Sequence, residues 1–243
     1  MVNPKETKIR LILAPAGAEY KSAQRSVQQL QNGPRVVAIP AGPQGLTRFL
    51  QTWDEQDLCQ AGGVLLVGLG GSLSPELNVG DAVLVERVYE EESSQVYTCD
   101  RTLTTQLSEQ LGIPIGVGVS CDRVITTAAE KQQLHKHYNA NIVDMESAAL
   151  LKSAALLKSA ALLKGAALLK RLPNCKIVIL RIISDSCHQD LPDISNAIDI
   201  YGAVKPLYLA WSFLKRPIAA LRLIQGSLKG FECMENIIFT LFK

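Results

Sequence analysis

Three segments of this 243-residue chain bring together residue types from which a reaction could be built. In "NIVDMESAA" (141–149), Asp144 and Glu146 stand where an apolar strand edge runs into a helix. In "LRIISDSCH" (180–188), a strongly apolar run ends on Ser184 and Asp185. A carboxylate at the end of a buried strand lies where open α/β sheets hold their ligands. Taken singly, Glu146 and Asp185 could equally be helix caps, so the signal is their combination. The third segment is "GLGGSLSPELNVGDAVLVE" (68–86). Its glycine-rich turn, centred on Gly70, Gly71 and Ser72, can bring backbone N–H groups close to an anion or a sugar. It is no dinucleotide fingerprint. Leu73 replaces the third glycine, and Pro75 with a strand starting at 81 leaves no room for the helix.

Those residues need elements to position them. Short runs rich in Val, Ile and Leu (9–14, 35–40, 62–69, 81–88, 113–120, 175–185) alternate with helix-forming stretches. Thr126 and Thr127 followed by Glu130 form a capping box at the start of one of these. The strands are continuously apolar rather than alternating, which indicates burial on both faces. The expected fold is α/β, a single domain over 1–243 with a mixed central β-sheet between layers of helices. No stretch reads as an interdomain linker.

Composition narrows the functions. Hydrophobic residues make up 47% and charged ones 20%, as in a globular domain large enough for a substantial core. A net charge of +2, with no basic cluster interleaved with aromatics, argues against nucleic acid as a partner. Six scattered cysteines without a C-x-x-C pair read as reduced and mostly buried. The N-terminal apolar run is too short for a signal segment, so the expected location is cytoplasmic. His135 and His137 point in different directions on a helix, and His188 has no partner at ligand spacing; no metal is expected.

From Ser147 to Lys170 a hexad close to SAALLK occurs four times. Six residues rotate a helix by about 600°, leaving each copy roughly 120° out of step with the last. The repeat therefore has no single apolar face and no coiled-coil seam. Lysine in every window of about 18 residues argues against a membrane span. Three copies add about 27 Å without changing helical phase, which marks residues 153–170 as an expansion of an over-long helix at 146–170. Gly165 is its weak point. Beyond it, the C-terminal segment 203–243 is apolar and basic, and Pro217 splits it into two helices. Packing on the sheet or on an oligomer partner is the favoured role, with contact to a membrane or a lipid-like substrate as the alternative.

In order and spacing, the glycine-rich segment followed by V-G-D, then V-D-M-E-S, then R-x-I-S-D resembles the purine nucleoside phosphorylase and methylthioadenosine/adenosylhomocysteine nucleosidase superfamily. The resemblance runs from "LILAPAGAE" to about residue 190. The stretch "AIDIYGAVKPLYLAWSFLKRPIAALRLIQGSLKG" is similar to the hopanoid-associated branch, held to remove adenine from adenosylhopane. The resemblance implies an enzyme that cleaves the N-glycosidic bond of a purine nucleoside or nucleoside-like lipid. It also implies a homo-oligomer, no cofactor, and inorganic phosphate as a co-substrate if the reaction is phosphorolysis. Asp185 then protonates the leaving base beside Ser184, Glu146 binds the ribose hydroxyls, Met145 packs on the sugar and Val124 lines the base pocket. Glu19 matches the carboxylate with which nucleosidases activate water.

Phosphorolysis is the first expectation and hydrolysis the alternative. Phosphate needs cationic or N–H donors, yet the loop 38–45 has no arginine and Arg25 lies inside a helix. A third reading is a catalytically inactive nucleoside-binding protein whose site the repeat has spoiled.

Overall fold

The apolar runs become strands of a sheet that closes on itself over part of its width. The computed structural model describes residues 9–52, 62–163, 176–194, 197 and 205–243. Its strands are β1 (Ile9–Pro15), β2 (Arg35–Ile39), β3 (Gly63–Ser72), β4 (Ala82–Glu90), β5 (Val96–Thr98), β6 (Ile115–Ser120), β7 (Ile142–Asp144) and β8 (Lys176–Asp185). Its helices are α1 (Ala18–Gln28), α2 (Pro43–Thr52), α3 (Arg101–Leu111), α4 (Ala128–Tyr138), α5 (Ser147–Leu163), α6 (Pro206–Lys215) and α7 (Pro217–Phe242). The sheet is mixed, as its sequence pattern implies. Long β3 and β8 pair in parallel from Gly63↔Lys176 to Gly71↔Asp185. β8 then pairs antiparallel with β4, β4 pairs in parallel with β6, and β6 in parallel with β7. β7 returns to the end of β3 through Val143↔Gly71 and Ile142↔Ser72, closing the ring.

Continuous hydrophobicity has the expected cause: helices cover both faces. Residues Ile177 to Ser184 of β8 are all buried. Successive side chains point to opposite faces. Leu11, Leu13 and Leu66 therefore pack with Leu46 and Leu50 of α2 and Ala148–Leu151 of α5. Ile12, Leu65 and Val67 meet α1, α3 and α7 through Ala23, Leu103, Leu107, Met234 and Ile238. Each such aliphatic side chain stabilises the fold by about 1.5–3 kcal/mol relative to exposure. Thr127 caps α4 by accepting from the Glu130 N–H, in line with the capping-box reading. Cys99, Cys121 and Cys187 are buried thiols and Cys233 is half-buried, while Cys59 and Cys175 lie outside the described residues.

Two sequence readings change. The glycines of "GLGGS" form no turn; β3 continues through them to Ser72. Strand β5 is not among the elements read from the sequence: it has only three residues and pairs with β4 at its open edge, too little apolar length to stand out.

The repeat helix starts as expected at Ser147 and is described to Leu163; Gly165 and the rest of the repeat lie outside the described residues. Leu150 and Leu156 occupy the same place in successive hexads, yet Leu150 is 1% exposed and Leu156 64%. The first copy enters the core, and the rotation between copies carries the second away from it.

Pro217 does separate α6 from α7. α7 packs on the sheet through Gly226, Gly230, Met234, Ile238 and Leu241, whereas α6 has no buried residue. Gly226 lets α7 lie directly on the end of β8, because a Cβ there would run into the Ser184 carbonyl. Gly226→Ala gains about 1 kcal/mol of helix propensity. It also forces α7 off a backbone atom that cannot yield, and overpacking costs about 1–3 kcal/mol. We expect the net effect to be destabilising, read as a lower urea midpoint; an unchanged or higher midpoint would show that α7 does not seat on β8.

Candidate active site

The ring of strands brings three chain segments to one point. At Gly71, β3 pairs with Val143 on one side and Asp185 on the other. A Cβ at Gly71 would sit 3.0 Å from Asp185 Oδ2 and 3.1 Å from Val143 Cγ1, so glycine is what permits the approach. A cavity of about 490 Å³ opens there. Glu19, Gly70, Gly71, Val124, Met145, Glu146, Ser184 and Asp185 all line it. Glu146 and Asp185, far apart in sequence, thus converge on one cleft.

Ser72 does not belong to this set. It is fully buried and donates to the Ser74 carbonyl 2.7 Å away, because the alternation of β3 turns its side chain away from the cavity. Arg25 is also remote: it pairs with Glu235 on α7 at the outer face of α1.

The carboxylates are organised around Arg181, a fully buried arginine in the middle of β8. Its Nε donates to Asp144 Oδ2 at 2.7 Å, and its Nη2 lies 2.6 Å from the same oxygen and 3.2 Å from Glu146 Oε2. Asp144 also accepts from the hydroxyls of Ser120 and Ser147, and the Ser120 oxygen accepts from the Ala148 N–H. The last of these satisfies a backbone donor at the start of α5 that the helix itself leaves unpaired. The other oxygen of Glu146 accepts from the Gly42 N–H at 2.9 Å. Gly42 has φ +80°, a conformation that favours glycine and lets the α2 loop present that N–H.

Glu19 sits in the first turn of α1 and accepts from the Leu69 N–H at 2.7 Å. Burial, reinforced by the nearby Glu146 carboxylate, pushes its carboxyl up to about 7, against the opposing pull of the Leu69 N–H and Arg181. Burial also raises Glu146 above the ordinary carboxylate range, more than Arg181 lowers it. A carboxyl that exchanges its proton near neutrality is suited to general acid–base work.

Asp185 has a partner that sequence reading missed. Lys131 of α4 is fully buried, forms an ion pair with Asp185 Oδ2 and donates to the Ser186 carbonyl at 2.9 Å. Ser184 Oγ lies 2.7 Å from Asp185 Oδ1 and 3.3 Å from the Gly70 carbonyl. Lys131 gave no signal because it stands in a polar helix whose neighbours are exposed. Arg181 did give one: a lone charge inside an apolar strand must be paired to be buried.

Most of the rest of the cavity is apolar, walled by Ile125, Leu191 and Ile194 and by Leu209, Phe213, Leu223 and Phe231 of the C-terminal helices. Among the described residues no group of His, Cys, Asp and Glu could hold a metal ion. His135 Nδ1 instead contacts the Ala140 carbonyl at 2.7 Å.

Known proteins share this fold. The sequence model described as the phosphorylase superfamily matches residues 54–199. The 5′-methylthioadenosine/S-adenosylhomocysteine nucleosidase from Helicobacter pylori, solved with butyl-thio-DADMe-Immucillin-A, superposes with a TM-score of 0.60 at 15% identity, covering 96% of this chain and 99% of that one. The nucleosidase of the same name from Neisseria meningitidis, solved with methylthio-immucillin-A, gives 0.60 at 14% identity, with coverage of 96% and 99%. Futalosine hydrolase of Helicobacter pylori gives 0.58 at 16% identity, with coverage of 93% and 96%. Comparison with curated protein sequences finds no match.

Arg181→Met would leave Asp144 and Glu146 buried without their cation. We expect a loss of about 3–5 kcal/mol in unfolding free energy, measured by denaturant titration. A loss below about 1 kcal/mol would mean that the carboxylates do not depend on it.

Proposed function

The chain belongs to the phosphorylase superfamily, and we propose that it breaks the N-glycosidic bond of a purine nucleoside bearing an apolar 5′ substituent, with water as the attacking group. The observation that carries this reading is Glu19, a carboxyl near neutrality that lines the same cavity as Glu146 and Asp185.

Breaking this bond leaves an oxocarbenium-like sugar and a purine anion. Asp185, with Ser184 and Lys131 bonded to it, delivers a proton to the base nitrogen as the C1′–N electron pair departs. Lys131 holds the carboxyl in place. Glu146, fixed by Gly42 and Arg181, accepts from the ribose hydroxyls and favours positive charge on the sugar. Glu19 in its ionised form takes a proton from water while the water oxygen bonds C1′. Met145 and Val124 pack against sugar and base. Both protons are handled by side chains, so no cofactor enters.

Water is preferred over phosphate for an electrostatic reason. Among the described lining residues the cation is Arg123, which is tied to Glu130 at 2.5 Å and Glu91 at 3.7 Å. Glu19, Asp144, Glu146 and Asp185 face the same space and outnumber their buried partners Arg181 and Lys131, and the excess negative charge disfavours a phosphate. The apolar wall suits a thioether or longer hydrocarbon on the 5′ carbon, as in 5′-methylthioadenosine or adenosylhopane.

The test is release of adenine from adenosine, 5′-methylthioadenosine, adenosylhomocysteine and adenosylhopane, with and without phosphate. We expect phosphate-independent release and free sugar. Sugar phosphate would establish phosphorolysis, and no release from any substrate would leave a binding protein. Asp185→Asn should lower kcat about 10²–10⁴-fold. Glu19 works as a base only when ionised, so kcat/KM should rise with pH through about 7. Glu19→Gln should remove both the rise and most of the rate; a rise that survives in that variant assigns the base elsewhere.

A further inference from the structure

The C-terminal helices carry a surface that the nucleoside chemistry does not use. On α6, Leu207, Trp211 and Leu214 recur at helical spacing and are 85%, 60% and 75% exposed, with Tyr208 beside them. On α7, Ile218, Leu221 and Leu228 continue the apolar stripe at 67%, 55% and 61% exposure. Exposed apolar side chains in such a contiguous set mark a contact surface.

Charge identifies the partner. Between residues 205 and 231 there are five cations, Lys205, Lys215, Arg216, Arg222 and Lys229, and no acidic residue. All five are exposed, though Lys229 turns its ammonium to the Val79 carbonyl at 2.7 Å. Lys215 lies 5.3 Å from the Trp211 ring centroid and Lys205 5.9 Å from that of Tyr208, so cations and aromatics sit at one level. Arg216 is held 3.6 Å from Asp190, a contact with an acid outside this segment. Apolar stripe, interfacial Trp and Tyr, and flanking Lys and Arg together suit an anionic lipid surface. Pairing of two copies through the same face would set these cations against each other. Among the described residues no helix is long and apolar enough to cross a membrane, so the contact is peripheral.

We propose that the α6–α7 face docks the protein on an anionic bilayer. The opposite side of the same helices lines the cavity: Leu209 and Phe213 come from α6, and Leu223 and Phe231 from α7. Ile224 and Leu228 belong to both, lining the cavity while remaining exposed. Docking therefore sets the cavity mouth at the lipid surface, where a nucleoside with an apolar tail would enter.

Vesicle flotation of the full chain tests this without relying on any activity. Vesicles of phosphatidylcholine with about a third phosphatidylglycerol should carry the protein up. Phosphatidylcholine alone, or high salt, should reduce the bound fraction at least tenfold. The double variant Leu214→Glu and Ile218→Glu, neither of which lines the cavity, should lose binding at least tenfold while keeping its circular dichroism. The partial variant Lys205→Gln and Lys215→Gln should weaken binding and flatten its salt dependence. The proposal is overturned if the chain binds no vesicle, or if the double variant binds as the parent does. It is equally overturned if the parent ignores vesicles and forms an oligomer that the double variant dissolves.

Discussion

One buried cation organises this protein. Arg181 stands in the middle of the central strand β8 and can remain charged there only because Asp144 and Glu146 surround it. Those partners come from the end of β7 and the start of α5, so the ion cluster ties the start of the repeat helix to β8. The dependence runs both ways. Asp144 and Glu146 would be intolerable in the same place without the guanidinium. Two carboxylates on one cation, with Glu19 close by, leave excess negative charge in a buried space. Burial, together with that excess, lifts Glu19 toward neutrality. A structural ion cluster thereby tunes the group that faces the cavity.

Close backbone approach is the second constraint. Gly71 lets β3, β7 and β8 meet where Asp185 and Val143 face each other. Gly226 lets α7 press on the carbonyl of Ser184 from the other side. The cavity thus forms where strands end against a helix, with Asp144, Glu146 and Asp185 at the strand ends, Glu19 on α1 and much of its apolar wall on α6 and α7.

Much of this was legible in the residues. Six of the strands follow from uninterrupted apolar runs, because a strand covered on both faces needs no polar alternation. Pro217 marks the helix break, since its ring and missing N–H end any helix that reaches it. The paired segments ending in Glu146 and Asp185 mark one cleft, for the same reason that ligands gather at strand ends. Ser72 was misjudged because a glycine-rich stretch read as a turn is in fact strand, and strand alternation turns the serine inward. Lys131 was invisible, since a lysine in a polar helix looks the same whether it meets water or a carboxylate.

The hexad repeat draws the line most clearly. Sequence alone determined that the repeat as far as Leu163 is a helix, that its faces do not repeat, and that "VDMES" begins it. Those are local matters of propensity, period and capping, settled within a few residues. Only the tertiary structure decided that Leu150 is core and Leu156 is surface, or that Lys131 would reach Asp185 across 54 positions of chain. Burial and pairing are relations between distant segments. No residue carries them until the ring of strands has closed and brought its partners within reach.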